Sequence, residues 1–205
     1  MAKILSMIIN NRITKYLETN NIIHPNQAGF RSKHRTTDHI HVLTLHTVIK
    51  KYQTQKKRIY CCFVNLKKCF DTIWRTALQY KLLNNNINGK VYNIIKSMYT
   101  NMDFIVKLND VTSPHFKLHN GVKQGCPLSP TLYNIYMNDF TNDLNELQMS
   151  APELSGKKIN CLQYADDIAI LSTTSSGLQK ALDFLHSYTT NWGLQNNTKK
   201  TQSHL

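Results

Sequence analysis

Gln163-Tyr164-Ala165-Asp166-Asp167-Ile168-Ala169-Ile170-Leu171 sets two adjacent carboxylates between apolar runs, with Cys161 and Leu162 ahead of them. Runs of this length, rich in Ile and Leu, predict two short buried strands, and the Asp-Asp pair is then the turn of a hairpin. Neighbouring negative charges repel, and carboxylates are seldom buried without a partner. Two readings of the pair stand at this point: a solvated turn, or oxygen ligands compensated by a divalent cation.

Outward from the hairpin, Arg58 to Asn65 is the strongest strand signal, being apolar, β-branched and aromatic, with a polar residue closing it. Leu66 to Asp71 turns the chain. Helices are predicted from Ile73 to Leu83 and from Lys90 to Tyr99, parted by Asn84-Asn85-Asn86 and Asn88-Gly89. Phe104 to Leu108 alternates like a strand, Asn109-Asp110 reads as a turn, and a weaker strand lies near Phe116 to Leu118. Asn120-Gly121-Val122-Lys123-Gln124-Gly125-Cys126-Pro127-Leu128-Ser129-Pro130 carries two glycines and two prolines, a shaped loop where backbone can approach a ligand. Ser129 is placed to cap, and Pro130 to start, a helix to about Leu147 with Leu132, Ile135, Tyr136 and Phe140 inward. Gly177 to Tyr188 is amphipathic and ends near Trp192-Gly193.

At the other end, residues 2–19 put Ile4, Leu5, Ile8, Ile9, Ile13 and Leu17 at helical spacing, stopped by Asn20-Asn21 ahead of His24-Pro25. A basic loop follows from Asn26 to Arg35. Thr36, Thr37 or Asp38 can cap the next helix, which runs to about Gln55 with Ile40, Leu43, Val48 and Ile49 on its apolar side. Arg31, Lys33 and Arg35, just before a helix N-terminus, suit a triphosphate or phosphodiester and equally a solvated loop.

Composition bounds the class. The 205 residues suffice for one sizeable core or two small lobes, and 41% hydrophobic content is that of a globular protein. No apolar run approaches the roughly 18 residues that span a membrane. Ile4 to Ile9 is broken by Asn10, Asn11 and Arg12 with no cleavage site, so it reads as helix rather than signal peptide, and the chain as intracellular. The cysteines (61, 62, 69, 126 and 161) are odd in number and lack C-x-x-C spacing, which favours reduced buried thiols over disulfides or zinc. His39-x-His41 and His115-x3-His119 have ligand spacing but no cysteine or carboxylate cluster beside them. The net charge is +13, and residues 1–60 hold eleven Lys or Arg against Glu18 and Asp38, so +9 of it lies in the first 60 residues. Such a lobe suits a polyanion or a merely soluble basic face.

Five stretches together resemble the reverse transcriptase domain of non-LTR (LINE-like) retrotransposons, in that family's order. They are Asn26-Gln27-Ala28-Gly29-Phe30-Arg31, Phe63-Val64-Asn65-Leu66-Lys67-Lys68-Cys69-Phe70-Asp71, Gly121 to Pro130, Tyr164-Ala165-Asp166-Asp167, and Trp192-Gly193-Leu194 with Lys199-Lys200-Thr201. The resemblance implies an α+β right-hand polymerase: residues 1–57 as partial, helical and basic fingers, and residues 58–205 as a palm. Fingers elements are inserted around 85–120, and the chain stops before a thumb. It implies RNA-directed DNA polymerisation, in which dNTPs are added to the 3′-hydroxyl of a DNA primer on an RNA template. Two Mg²⁺ ions would assist, with Mn²⁺ a possible substitute. The remainder of a retrotransposon polyprotein, with endonuclease and thumb, would be the protein partner.

By the same resemblance Asp166, Asp167 and the Leu66 carbonyl hold metal, and Phe70 stacks under the sugar and excludes a ribose 2′-hydroxyl. Gln124 and Gly125 pack on the incoming nucleotide. Arg31, with Lys33 or Arg35, binds its triphosphate, and Lys200 donates a proton to pyrophosphate. One position departs from the pattern. The family carries an aspartate where this chain has Asn65, and an amide brings no charge and one oxygen instead of two. A crippled polymerase, or a nucleic-acid-binding remnant without activity, is therefore expected. Asn65 is expected to face Asp166.

Overall fold

The computed structural model describes residues 2–31, 40–100, 102–198 and 201–204. In chain order the elements are α1 (Ala2–Thr19), α2 (Ile40–Thr54), β1 (Tyr60–Asn65), α3 (Cys69–Thr72), α4 (Arg75–Asn84) and α5 (Gly89–Tyr99). There follow β2 (Asp103–Phe104), β3 (Lys107–Leu108), β4 (Val111–Thr112), β5 (Phe116–Lys117), α6 (Ser129–Glu146), β6 (Glu153–Leu154) and β7 (Lys157–Lys158). The last are β8 (Cys161–Tyr164), β9 (Asp167–Ser172), α7 (Ser175–Asn191) and β10 (Gln202–His204). The order β10-β1-β9-β8 makes one antiparallel sheet, and β2 with β5, β3 with β4, and β6 with β7 form small ladders outside it. The fold is α+β, as expected.

Alternation along the strands gives this sheet two buried faces. Cys62 and Val64 of β1, with Ile168 and Ile170 of β9, join the principal core beside α4, α6 and α7. Cys61, Leu162, Ala169 and Leu171 point the other way and pack on Val48 of α2. Helix α6 touches α1, α4 and α7, so it is buried almost all round rather than along one stripe. The four residues expected inward on it are buried, and so are Tyr133, Met137 and Leu144.

Several local expectations are corrected. Ser129 is the first residue of α6 rather than its cap, which is Leu128 and makes no side-chain cap bond. The Ser129 hydroxyl donates instead to the Lys123 carbonyl at 2.6 Å, tying down the preceding loop. Phe104 to Leu108 splits between two ladders. The break falls where Val106 exchanges hydrogen bonds with Ser113, ahead of Pro114, which has no N–H to give. The helix expected from Ile73 begins at Arg75, after the short α3 and an extended Trp74. Helix α7 is longer than expected and is capped by Thr174, whose hydroxyl accepts from the Gly177 N–H. The caps proposed for α2 at Thr36, Thr37 or Asp38 lie outside the described residues.

Lys81 of α4 is buried, an uncommon place for an ammonium group. Its three protons go to the Tyr136 carbonyl (2.6 Å), Asp139 Oδ1 (2.6 Å) and the Tyr188 hydroxyl (2.8 Å). Its Nζ lies 3.7 Å from the Trp192 ring centroid. Burial pushes its pKa down to about 8, and Asp139 pulls the other way. Between that value and the ordinary lysine value the unfolded chain holds a proton that the folded chain has lost, so this lysine's contribution to stability rises with pH. Buried thiols oppose it: burial raises Cys61 to about 11 and Cys161 to about 12, so their contribution falls above pH 9. Comparison with Lys81→Met isolates the lysine. From pH 8 to 10, wild type is expected to gain about 2 kcal/mol on the variant in urea unfolding, and a pH-independent difference would refute the assignment.

Candidate active site

The β8–β9 turn is Ala165-Asp166, one residue earlier than the sequence suggested, because Asp167 already belongs to β9. Ala165 adopts φ 57°, a left-handed conformation costly for a residue with a Cβ. Gln27 holds it there. The buried Gln27 side chain accepts from the Ala165 N–H through Oε1 (3.2 Å) and donates to the Ala165 carbonyl through Nε2 (3.4 Å). Oε1 also accepts from the Gly29 N–H, and Nε2 donates to Gln163 Oε1. Around it the chain from Asn26 to Ala28 runs alongside β8. Ala28 N–H donates to the Gln163 carbonyl (3.0 Å), and Gln163 N–H to the Asn26 carbonyl (2.8 Å).

Asn65, the last residue of β1, stands opposite Asp167 and not Asp166. The β1–β9 register that pairs Phe63 with Ala169 and Val64 with Ile168 continues to Asn65 and Asp167, and Asp166 lies beyond the start of β9. Asn65 Nδ2 donates to Asp167 Oδ1 at 3.3 Å. On its other side Asn197 Nδ2 donates to Asn65 Oδ1 at 3.3 Å, and the Asn197 main-chain N–H donates to the Asn65 carbonyl at 2.9 Å. Asp166 is half-buried and Asp167 exposed. Beneath them the Tyr133 hydroxyl is buried with no hydrogen-bond partner among the described residues. Burial above all, then Cys69 and both aspartates, holds its pKa far above the usual range.

A second wall comes from the glycine-containing loop. Gly121, at φ 86°, lies so close to α3 that a Cβ would meet the Asp71 carbonyl oxygen at 2.8 Å. Gly121 N–H donates to the Ile73 carbonyl and Val122 N–H to the Phe70 carbonyl, both at 2.8 Å. Gln124 Nε2 donates to Asp71 Oδ1 at 2.8 Å, and Gly125 (φ 75°) faces open space. Phe70 is half-buried between Phe30 (centroids 5.9 Å, edge-on) and Tyr133 (5.2 Å).

Arg75 fastens the loop from behind, donating to the carbonyls of Gly121 (2.8 Å), Leu118 (2.5 Å), Asn120 (3.0 Å) and Tyr99 (3.4 Å). Arg75→Met should free four carbonyls and cost about 2–3 kcal/mol, partly recovered by water. Denaturant unfolding checks this, and a loss below about 0.5 kcal/mol, ordinary for a surface change, would refute it.

The remaining sequence-derived candidates are dispersed. Arg31 is bound by Glu18 through two hydrogen bonds (2.9 and 2.6 Å) and also donates to the His24 and Gln27 carbonyls, so it fastens the 24–31 loop to α1. Lys33, Arg35 and Lys200 lie outside the described residues. Leu66 pairs with Asn196 in an isolated bridge. The structure brings Asn65, Asp166 and Asp167 together and sets Phe70, Gln124 and Gly125 along a neighbouring wall. Gln27, Gly29, Arg75 and Asn197 were missed. Of these, only Gln27 and Gly29 fell in a singled-out motif, and none has a local pattern that reveals a long-range hydrogen bond.

The family model for reverse transcriptase (RNA-dependent DNA polymerase) matches residues 1–205. The chain belongs to the reverse transcriptase family. It is 29% identical over 208 residues to the RNA-directed DNA polymerase from mobile element jockey of Drosophila funebris. It is 30% identical over 212 residues to a probable RNA-directed DNA polymerase from transposon BS of Drosophila melanogaster. Both alignments take in 98% of this domain and 22% of the relative, so the chain spans under a quarter of those proteins' length. Over 79% of the chain it is 27% identical to the Pol polyprotein of an R2 element of Popillia japonica. These relatives are of the non-LTR type.

Among solved structures, apo telomerase from Candida tropicalis superposes with a TM-score of 0.73 at 14% identity, covering 100% of this domain and 37% of that chain. Telomerase from Candida albicans, solved with a telomeric RNA fragment, gives 0.69 at 15%, covering 97% and 33%. At such identities the likeness is one of fold.

Reverse transcriptases use divalent metal ions, and the donors of this domain suit such an ion in kind. Two adjacent carboxylates, one in the turn and one at the start of β9, are hard oxygen ligands. In number they fall short, since no group of three or more His, Cys, Asp or Glu that could hold a metal occurs among the described residues. The third position is Asn65, whose N–H points at Asp167. Histidine or cysteine zinc sites are likewise absent among those residues, and no described helix is long and apolar enough to cross a membrane.

Proposed function

We propose that this domain extends a DNA primer on an RNA template with dNTPs. The observation that carries the reading is the pair of carboxylates where the β8–β9 turn enters β9, with Asp167 opposite residue 65 on the adjacent strand. Asp166, Asp167 and the Leu66 carbonyl would hold Mg²⁺, or Mn²⁺ in its place. Bound there, the ions supply charge neutralisation at the phosphates and acidify the primer hydroxyl. Phe70 supports the deoxyribose, and Gln124 and Gly125 border the incoming base and sugar. Lys33 and Arg35 bind triphosphate, since Arg31 would first have to leave Glu18. Lys200 protonates pyrophosphate. In this reading residues 1–57 are fingers and 58–205 palm, with the 85–120 insertion forming further fingers. A thumb and endonuclease come from the rest of a polyprotein.

A second reading has an observation of its own. The Asn65 amide already satisfies Asp167, as it would in a nucleic-acid-binding domain that has lost catalysis. Primer extension on an RNA template separates the two. Extension by Asn65→Asp that disappears in Asn65→Asp/Asp166→Asn supports the polymerase. Retained nucleic-acid binding with no extension by Asn65→Asp supports the second reading.

A further inference from the structure

We infer that Asn197 is the positioning residue for the side chain at position 65, a role that rests on the metal-site reading above. The segment after α7 is zipped to the end of β1. Lys67 N–H donates to the Gln195 carbonyl at 2.7 Å, Leu66 bridges Asn196, and Asn197 N–H donates to the Asn65 carbonyl at 2.9 Å. Residue 197 is itself anchored, because its carbonyl accepts from both the Thr201 N–H and the Thr201 hydroxyl at 3.0 Å. From that fixed base its Nδ2 reaches Asn65 Oδ1 at 3.3 Å.

The side chain at 65 therefore sits between a donor, Asn197, and an acceptor, Asp167. An amide fits in one orientation only, oxygen toward Asn197 and N–H toward Asp167, because the flipped amide would set two acceptors face to face. The single oxygen of Asn65 is thus turned away from the hairpin. A carboxylate at 65 would give one oxygen to Asn197 and aim the other at Asp167, leaving a gap between anions that suits a cation. The cradle for an aspartate persists around an asparagine.

The test uses the whole chain and two measurements. In the wild-type sequence, Asn197→Leu removes the side-chain donor and keeps the main-chain N–H. Asn197→Ala does the same with a smaller side chain should the leucine variant fail to fold. Hydrogen exchange of the Asn65 carboxamide, followed by ¹⁵N NMR, should speed up severalfold in either variant, and unchanged exchange overturns the inference. Second, Mn²⁺ binding is followed by electron paramagnetic resonance. Asn65→Asp should bind about tenfold tighter than wild type, and adding Asn197→Leu should remove most of that gain, the size of effect usual for residues that orient a metal ligand. Equal affinity of Asn65→Asp and Asn65→Asp/Asn197→Leu overturns the positioning role alone. If Asn65→Asp gains no affinity, the metal-site reading fails, and the exchange measurement still decides the role of Asn197.

Discussion

Asn65→Asp is expected to raise metal-dependent primer extension about a thousandfold. A third carboxylate restores a charge beside Asp167, and if it returns about 4 kcal/mol of metal-borne transition-state stabilisation, the rate rises by about three orders of magnitude. The geometry gives no reason for a steric penalty. The two side chains are nearly the same size, the residue ends a regular strand, and Asn197 can donate to a carboxylate oxygen as it does to the amide. What changes is the apo protein. The new carboxylate would face Asp167 without the hydrogen bond that Asn65 now gives it, so the variant should lose about 1 kcal/mol of stability without metal and regain it when Mg²⁺ is added. Single-nucleotide extension rates at saturating primer-template, with unfolding curves in EDTA and in Mg²⁺, measure both effects. Equal extension by the two proteins would show that Asn65 is no impediment.

The strands of the hairpin and β1 were legible because their residues are apolar, branched and short in run, and α6 because its core residues recur at helical spacing. The position of the turn was not. Sequence favours aspartates over alanine in a turn, yet Ala165 takes the left-handed conformation because Gln27 grips both its N–H and its carbonyl. That contact spans 138 residues, and no local pattern encodes it. The β1–β9 register, which sets Asp167 rather than Asp166 opposite Asn65, is also a long-range property. Arg31 shows the converse limit. A basic loop predicts anion binding equally well whether the anion is a ligand or, as here, Glu18 of the neighbouring helix. Lys81 reads as one more surface cation until α6 and the C-terminal end of α7 enclose it.

Gly29→Ala is expected to destabilise the protein by about 3 kcal/mol, as an overpacked contact with lost buried hydrogen bonds should. A Cβ at Gly29 would stand 2.1 Å from the Ala165 nitrogen, 2.7 Å from its Cα and 3.0 Å from the Tyr164 carbonyl carbon. All three are backbone atoms of the hairpin, so no flexible side chain can yield. Either the 26–29 segment lifts from β8, breaking the Gln27 contacts, or the turn moves with Asp166 and Asp167. Lifting would also part the Gly29 carbonyl from Asn134, whose Nδ2 donates to it at 2.8 Å. In the Asn65→Asp background, a displacement of about 1 Å at the aspartates should slow extension about a hundredfold. Gly89→Ala is the control, because φ there is 61° and a Cβ meets nothing within 4 Å, so only conformational strain of about 1–2 kcal/mol is expected, with extension unchanged. Gly29→Ala acting no more strongly than Gly89→Ala, in both unfolding and extension, would mean that the Gln27 segment does not fix the aspartate turn.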